Sequence, residues 1–353
     1  MIQFYSKSNN GTVWNLRHPE TELMRIPDHA TKSVVFLCTK QTVNGIDKFT
    51  PGGTAFFVSI PFTTNPSQSY IYLVTAAHNI KESRPYGDLY LRINTKDNKS
   101  EYYHIDEDDW IMPPEGNSAD VAIKLVGPPS STFDYRHTHY ELFATEEVLR
   151  TKQIGIGDDI IMIGLHHSRS GYGKNMPIVR SGIISCMPDD DEPFYTKDDP
   201  PRPFQAYLTE VRSIGGLSGS PVFVMLGSGR LTDKELDHKL HKGFLIGLVR
   251  GHYESPLPVV KDGKWGLENF NEGIAMITPI QEVIKLLYSA ELMKSRSDFE
   301  NTEKRRIAME TTTEDSAFGS AYDKSVLTQT DFTDALKLAS CKTSAPDQET
   351  KET

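Results

Sequence analysis

Three blocks carry side chains able to do chemistry together. Gly216-Leu217-Ser218-Gly219-Ser220-Pro221 sets a serine between glycines. Such a turn exposes the hydroxyl and aims neighbouring backbone N–H groups at one oxygen, which is what a tetrahedral oxyanion needs. Alone it is no more than a Gly-Ser turn, common in loops. Thr75-Ala76-Ala77-His78 ends an apolar run with a histidine, and small Ala76 and Ala77 leave room around an imidazole. Asp120 opens the alternating run Asp-Val-Ala-Ile-Lys-Leu. A carboxylate there can accept the proton of one imidazole nitrogen, fix the tautomer and stabilise the imidazolium. Asp120 follows His78 by 42 residues and precedes Ser218 by 98. Together they make His78, Asp120 and Ser218 one candidate set, in that order along the chain.

Short strands must hold these residues. Ser33–Thr39, Thr54–Ile60, Tyr70–Thr75 and Asp88–Asn94 are β-branched or alternate apolar with polar, and turns separate them. The texture returns in Asp159–Gly164, Val179–Cys186, Pro221–Met225 and Gly243–Val249. An all-β fold of two small barrels in tandem follows, over about 31–125 and about 150–278. Residues 126 to 150 join them and include one helical turn at Glu146–Arg150. Thr278 as N-cap, Pro279 at the first helical position and Gln281 in a capping box predict a closing helix over 279–294. Ile280, Val283, Ile284 and Leu287 form its apolar face. An N-terminal arm (1–30) precedes the 31–294 domain. From 295 to 353 the chain is polar and charged, and disorder is expected there. A short amphipathic segment near 330–340 (Phe332, Leu336, Leu338) is the candidate contact for a regulatory partner or for self-inhibition.

Composition narrows the function classes. The chain has 353 residues, 37% hydrophobic, with a formal net charge of −10. A nucleic-acid partner lacks its electrostatic basis. No stretch approaches the ~20 apolar residues of a membrane-spanning helix, and the first residues contain no leader-like apolar run. Cys38, Cys186 and Cys341, three in number, fit reduced thiols and a cytoplasmic setting. His137-Thr138-His139, His166-His167 and His238 with His241 lack zinc-site spacing, so neither metal nor cofactor is expected.

The three blocks resemble the signatures of chymotrypsin/trypsin-like serine peptidases, whose template has the order His, Asp, Ser at separations of about 45 and about 93. Subtilisin and the α/β-hydrolases use other orders, which sets an esterase aside. Gly53-Thr54-Ala55-Phe56-Phe57-Val58, Ile156-Gly157-Asp158-Asp159, Arg180-Ser181-Gly182-Ile183-Ile184-Ser185 and Ile277-Thr278-Pro279-Ile280 look like the bacterial HtrA-type branch, although nothing after residue 295 resembles its PDZ domain. The resemblance implies a chymotrypsin-like fold of two six-stranded barrels with the site between them. It also implies endopeptidase activity on protein or peptide substrates through an acyl-enzyme, with Ser218 as nucleophile, His78 as general base and acid and Asp120 orienting His78, and an oxyanion hole from the N–H groups of Gly216 and Ser218. The alternative is a catalytically silent binding or scaffold protein of the same fold. Leu217 stands where secreted trypsin relatives have an aspartate that pairs with a newly cut N-terminus, which argues against that activation route. Arg212, Arg250 and His252 fall where the substrate pocket is expected. Basic residues there disfavour trypsin specificity and favour acidic side chains, unless they turn to solvent.

Overall fold

The computed structural model describes residues 26 and 28–314, apart from 107, 167, 168, 170, 199, 213, 214, 228, 229, 231–242, 262 and 263. The N-terminal arm up to residue 25 and the segment around Phe332–Leu338 lie outside the described residues.

After a turn of helix, α1 (Asp28–Thr31), the apolar runs VVFLC and TAFFVSI build β1 (Val34–Val43) and β2 (Ile46–Pro61). These runs do not alternate with polar residues because both faces of the strands are buried. Val34, Phe36, Phe56 and Val58 pack into one core and Val35, Leu37, Ala55 and Phe57 into another. The sheet is completed by β3 (Ser69–Thr75), β4 (Leu89–Asn94), β5 (Ser100–Ile105), β6 (Ala122–Leu125) and β7 (Thr138–His139). Its order is β5-β4-β1-β2-β3-β6, with β7 parallel to β2.

The first half is therefore not the closed six-stranded barrel expected from the sequence. It is an open seven-stranded sheet whose end strands β5 and β6 do not pair. Between them the chain runs through Pro113 and Pro114 and adds only an Ile111–Ile123 bridge beside β6. A proline has no N–H with which to continue a ladder.

The second half does close. After α3 (Glu146–Thr151), with Thr145 as its N-cap, come β8 (Asp159–Gly164) and β9 (Ile178–Cys186). The short hairpin of β10 (Phe194–Tyr195) and β11 (Pro203–Phe204) follows. Then come β12 (Tyr207–Glu210), β13 (Pro221–Met225), β14 (Gly243–Lys261) and β15 (Lys264–Pro279). The barrel order is β12-β15-β14-β13-β8-β9. The strand expected at 243–249 runs on to Lys261, so β14 and β15 continue past the barrel as a two-stranded ribbon.

The C-terminal region differs from expectation in two respects. The closing helix is α4 (Ile280–Leu287), and its N-cap is Pro279, with no side-chain cap bond. Thr278 stays in β15, and its Oγ1 turns to the Asp120 carbonyl at 3.4 Å. The chain breaks at Tyr288 and Ser289 and starts a second helix, α5 (Ala290–Glu314), where disorder was expected from residue 295. Arg296, Phe299 and Glu300 on α5 are buried at 7%, 8% and 5% exposure. The sequence average hid this because the buried residues Arg296, Phe299 and Glu300 are flanked by exposed ones such as Met293, Lys294, Ser297 and Asp298. No helix among the described residues is long and apolar enough to cross a membrane.

Candidate active site

His78 lies in the first turn of α2 (Ala77–Ser83), just past the end of β3, rather than on the strand itself. Ala76 and Ala77 are buried beside it. Asp120 precedes β6, and β6 pairs with β3, so the two residues enter the site from neighbouring strands. His78 Nδ1 and Asp120 Oδ2 are 2.7 Å apart, and the His78 backbone N–H donates to Asp120 Oδ1 at 3.0 Å. One carboxylate thus fixes both the ring and the backbone of the histidine. With Nδ1 carrying the proton toward Asp120, Nε2 is left as the basic atom.

The electrostatics follow from this pairing. Burial opposes the charged imidazolium, but the bond to Asp120 and its charge, aided by Glu82, outweigh it. His78 is held above the ordinary histidine value. Burial likewise disfavours the Asp120 carboxylate, yet the bonds and charge of His78, with a contribution from Arg250, hold it below the usual range. The side chains are 30% and 11% exposed, which leaves the ring reachable and the carboxylate largely covered.

The turn bearing Ser218 is tied to the His78 region by two residues not singled out in the sequence. Thr54 N–H donates to the Ser218 carbonyl at 3.0 Å, and Thr54 Oγ1 donates to the Gly216 carbonyl at 2.7 Å. Asn79, which follows His78, donates through Nδ2 to the Ser218 carbonyl and to Thr75 Oγ1, both at 3.0 Å. Thr75 Oγ1 in turn donates to the Thr54 carbonyl at 2.7 Å. The signal for both was positional only. Thr54 opens an apolar strand just after a double glycine, and Asn79 is an amide beside the histidine.

Gly219 has φ +83°, and a Cβ there would lie 2.2 Å from the Thr54 carbonyl oxygen, so the turn requires glycine. Gly216 has φ +92°. The bonds that hold the turn use the carbonyls of Gly216, Leu217 and Ser218 and the amides of Gly219 and Ser220. The amides of Gly216 and Ser218 enter none of these bonds. Leu217 is fully buried in the core, so an apolar side chain anchors the turn.

The expected pocket residues divide. Arg212 is exposed, and His252 is half-buried on β14 opposite Ala275. Arg250 reaches the site. Its Nη1 donates to the Ser118 carbonyl at 2.9 Å, and its guanidinium lies 3.8 Å from the centre of the Phe204 ring. Ser118 Oγ also donates to the Pro203 carbonyl, which ties the start of β11 to the segment leading to Asp120. Cys38 is buried, and burial pushes its thiol up to about 12, which removes it as a nucleophile. Among the described residues no group of three or more His, Cys, Asp or Glu could hold a metal ion.

No family model matches the chain, and no curated protein matches it by sequence. Solved protease structures resemble it at low identity. The MamO protease domain from Magnetospirillum magneticum, in its apo form, is 13% identical, over 73% of this chain and 97% of that one, with a TM-score of 0.41. The active form of the Rv3671c protease from M. tuberculosis is 14% identical, over 73% and 80%, with a TM-score of 0.40.

Proposed function

We propose that the protein is a serine endopeptidase of the trypsin-like class that hydrolyses peptide bonds through an acyl-enzyme. The observation that carries this is the double hold of Asp120 on His78, with Asn79 linking the same helix to the Ser218 turn. Ser218 Oγ attacks the scissile carbonyl carbon and its proton passes to His78 Nε2. Asp120 keeps the Nδ1 proton bonded and stabilises the imidazolium. The amides of Gly216 and Ser218 receive the oxyanion. His78 then gives the proton to the departing amine as the C–N bond breaks. A water next loses a proton to His78 and attacks the ester, and Ser218 leaves with that proton. Buried Leu217 supports a turn that needs no N-terminal cleavage to form. The Gly53–Val58 and Ile277–Ile280 blocks favour a place near the HtrA-type branch.

The test is labelling of the full chain by an alkyl fluorophosphonate. Labelling of the wild type but not of Ser218→Ala supports the proposal. A folded wild type that does not label overturns it in favour of a silent binding protein of the same fold.

A further inference from the structure

Resting on that proposal, we infer that Arg250 is a binding site for a substrate carboxylate, so that the cleft takes peptides with an aspartate or glutamate close to the bond that is cut. The pairing of β14 with β13 ends at Leu248, and from Gly251 onward the only ladder partner of β14 among the described strands is β15. Among the described residues no strand pairs with the other edge of β14 past Val249, where an extended peptide can add as a further strand. Pro256 and Pro258 bound that stretch, because neither has an N–H to donate. Arg250 and His252 stand at its start, next to the Ser218 turn, whose Gly219 N–H donates to the Val249 carbonyl at 2.8 Å.

Arg250 is built to recognise an anion. The Phe204 ring supports the guanidinium, and one bond, Nη1 to the Ser118 carbonyl, sets its orientation. Nε and Nη2 take part in neither contact and remain for a ligand. The acids nearest in charge, Asp120 and Asp198, have other partners. Asp120 is held by His78, and Asp198 by Arg202 at 2.6 Å. Arg250 therefore forms no ion pair with a described residue. A planar fork of free donors, half-buried beside the reacting centre, matches a carboxylate in two parallel bonds. An amide of the same shape leaves part of that fork unpaired and is discriminated against.

The experiment uses peptidyl diphenyl phosphonates in pairs, identical except for Glu or Gln at one of the four positions before the phosphorus. The reading is the ratio of the two inactivation rates on one protein. For the wild type the Glu compound is expected to win at one position by roughly tenfold to a hundredfold, the range of a charge-assisted bond. Arg250→Ala should bring that ratio close to one, Arg250→Lys should leave part of it, and Arg212→Ala should preserve it. A wild type with no preference for Glu at any position, or a preference that survives Arg250→Ala, overturns the inference. If Arg250 only steadies the Ser118–Asp120 segment, Arg250→Ala slows the Glu and Gln compounds equally, which also overturns it. The alkyl fluorophosphonate separates the two levels. Labelling without a Glu preference removes the Arg250 site alone, and absence of labelling removes the peptidase proposal with it.

Discussion

Asn79 Nδ2 lies 3.0 Å from the Ser218 carbonyl oxygen, so the residue after the candidate base holds the turn of the candidate nucleophile. The two belong to different halves of the chain, α2 beside the open sheet and the turn before β13 in the barrel. Thr54 N–H meets the same oxygen from β2. The relative placement of His78 and Ser218 is thus set by bonds to a backbone carbonyl, with no demand on the Ser218 hydroxyl itself.

Asn79→Leu is expected to slow fluorophosphonate labelling about 10–100-fold, because a small displacement of a nucleophile from its base is costly. Losing one of two donors to a half-buried carbonyl should lower stability by about 1–3 kcal/mol. Labelling rate and urea unfolding on the same preparation check it. A normal rate in a destabilised protein would limit Asn79 to a structural role.

The pH profile of labelling should report His78. The base works only when neutral, so the rate rises with pH through the His78 value, and that midpoint should lie above the ordinary ~6.5. Glu82 favours the imidazolium and Arg250 opposes it. Glu82→Gln should therefore move the midpoint down and Arg250→Ala should move it up. Midpoints that stay put in both variants would dissociate the profile from His78.

The sequence singled out His78, Asp120 and Ser218 as candidates because each sits in a local pattern whose chemistry needs that residue type, and the structure pairs His78 with Asp120 and ties the Ser218 turn to Asn79. The strands were visible because β-branched and apolar residues mark them. Closure was not. Whether β5 meets β6 depends on the course of residues 106–121 between them, and the prolines at 113 and 114 decide it only once neighbours are known. Thr54 and Asn79 escaped because their partner, the Ser218 carbonyl, is more than a hundred residues away. The disorder expected from residue 295 fails at the start of that region, in α5, because composition averages a helix over all its faces. The buried stripe of α5 contains Arg296 and Glu300, which look solvated until their tyrosine partners are seen.

That stripe bears on any attempt to test the C-terminal region by truncation. Glu300 accepts from the N–H groups of Thr63 and Thr64 at 3.2 and 2.8 Å, and the Tyr70 hydroxyl donates to it at 3.1 Å. Arg296 donates to the Tyr72 hydroxyl at 3.2 Å, and Phe299 meets Phe62 and Tyr70 edge-on. A cut after residue 295 removes these partners and leaves buried groups unpaired, so it should destabilise the whole domain. A cut after residue 314 keeps them and should leave the unfolding midpoint near that of the full chain. Glu300→Ala should cost about 2–4 kcal/mol through the unpaired Thr63 and Thr64 amides. Burial favours a neutral Glu300, but the Thr63 and Thr64 bonds and the Tyr70 hydroxyl outweigh it and hold the carboxyl below its ordinary value. Its contribution is therefore present above the ordinary glutamate range, ~4.3, and is lost as pH falls through the lowered folded value. Glu300→Gln should lose stability at neutral pH and converge on the wild type in acid. Thermal melts between neutral and acidic pH measure it, and a gap between the two proteins that persists unchanged at low pH would show that the charge of Glu300 does not hold α5 in place.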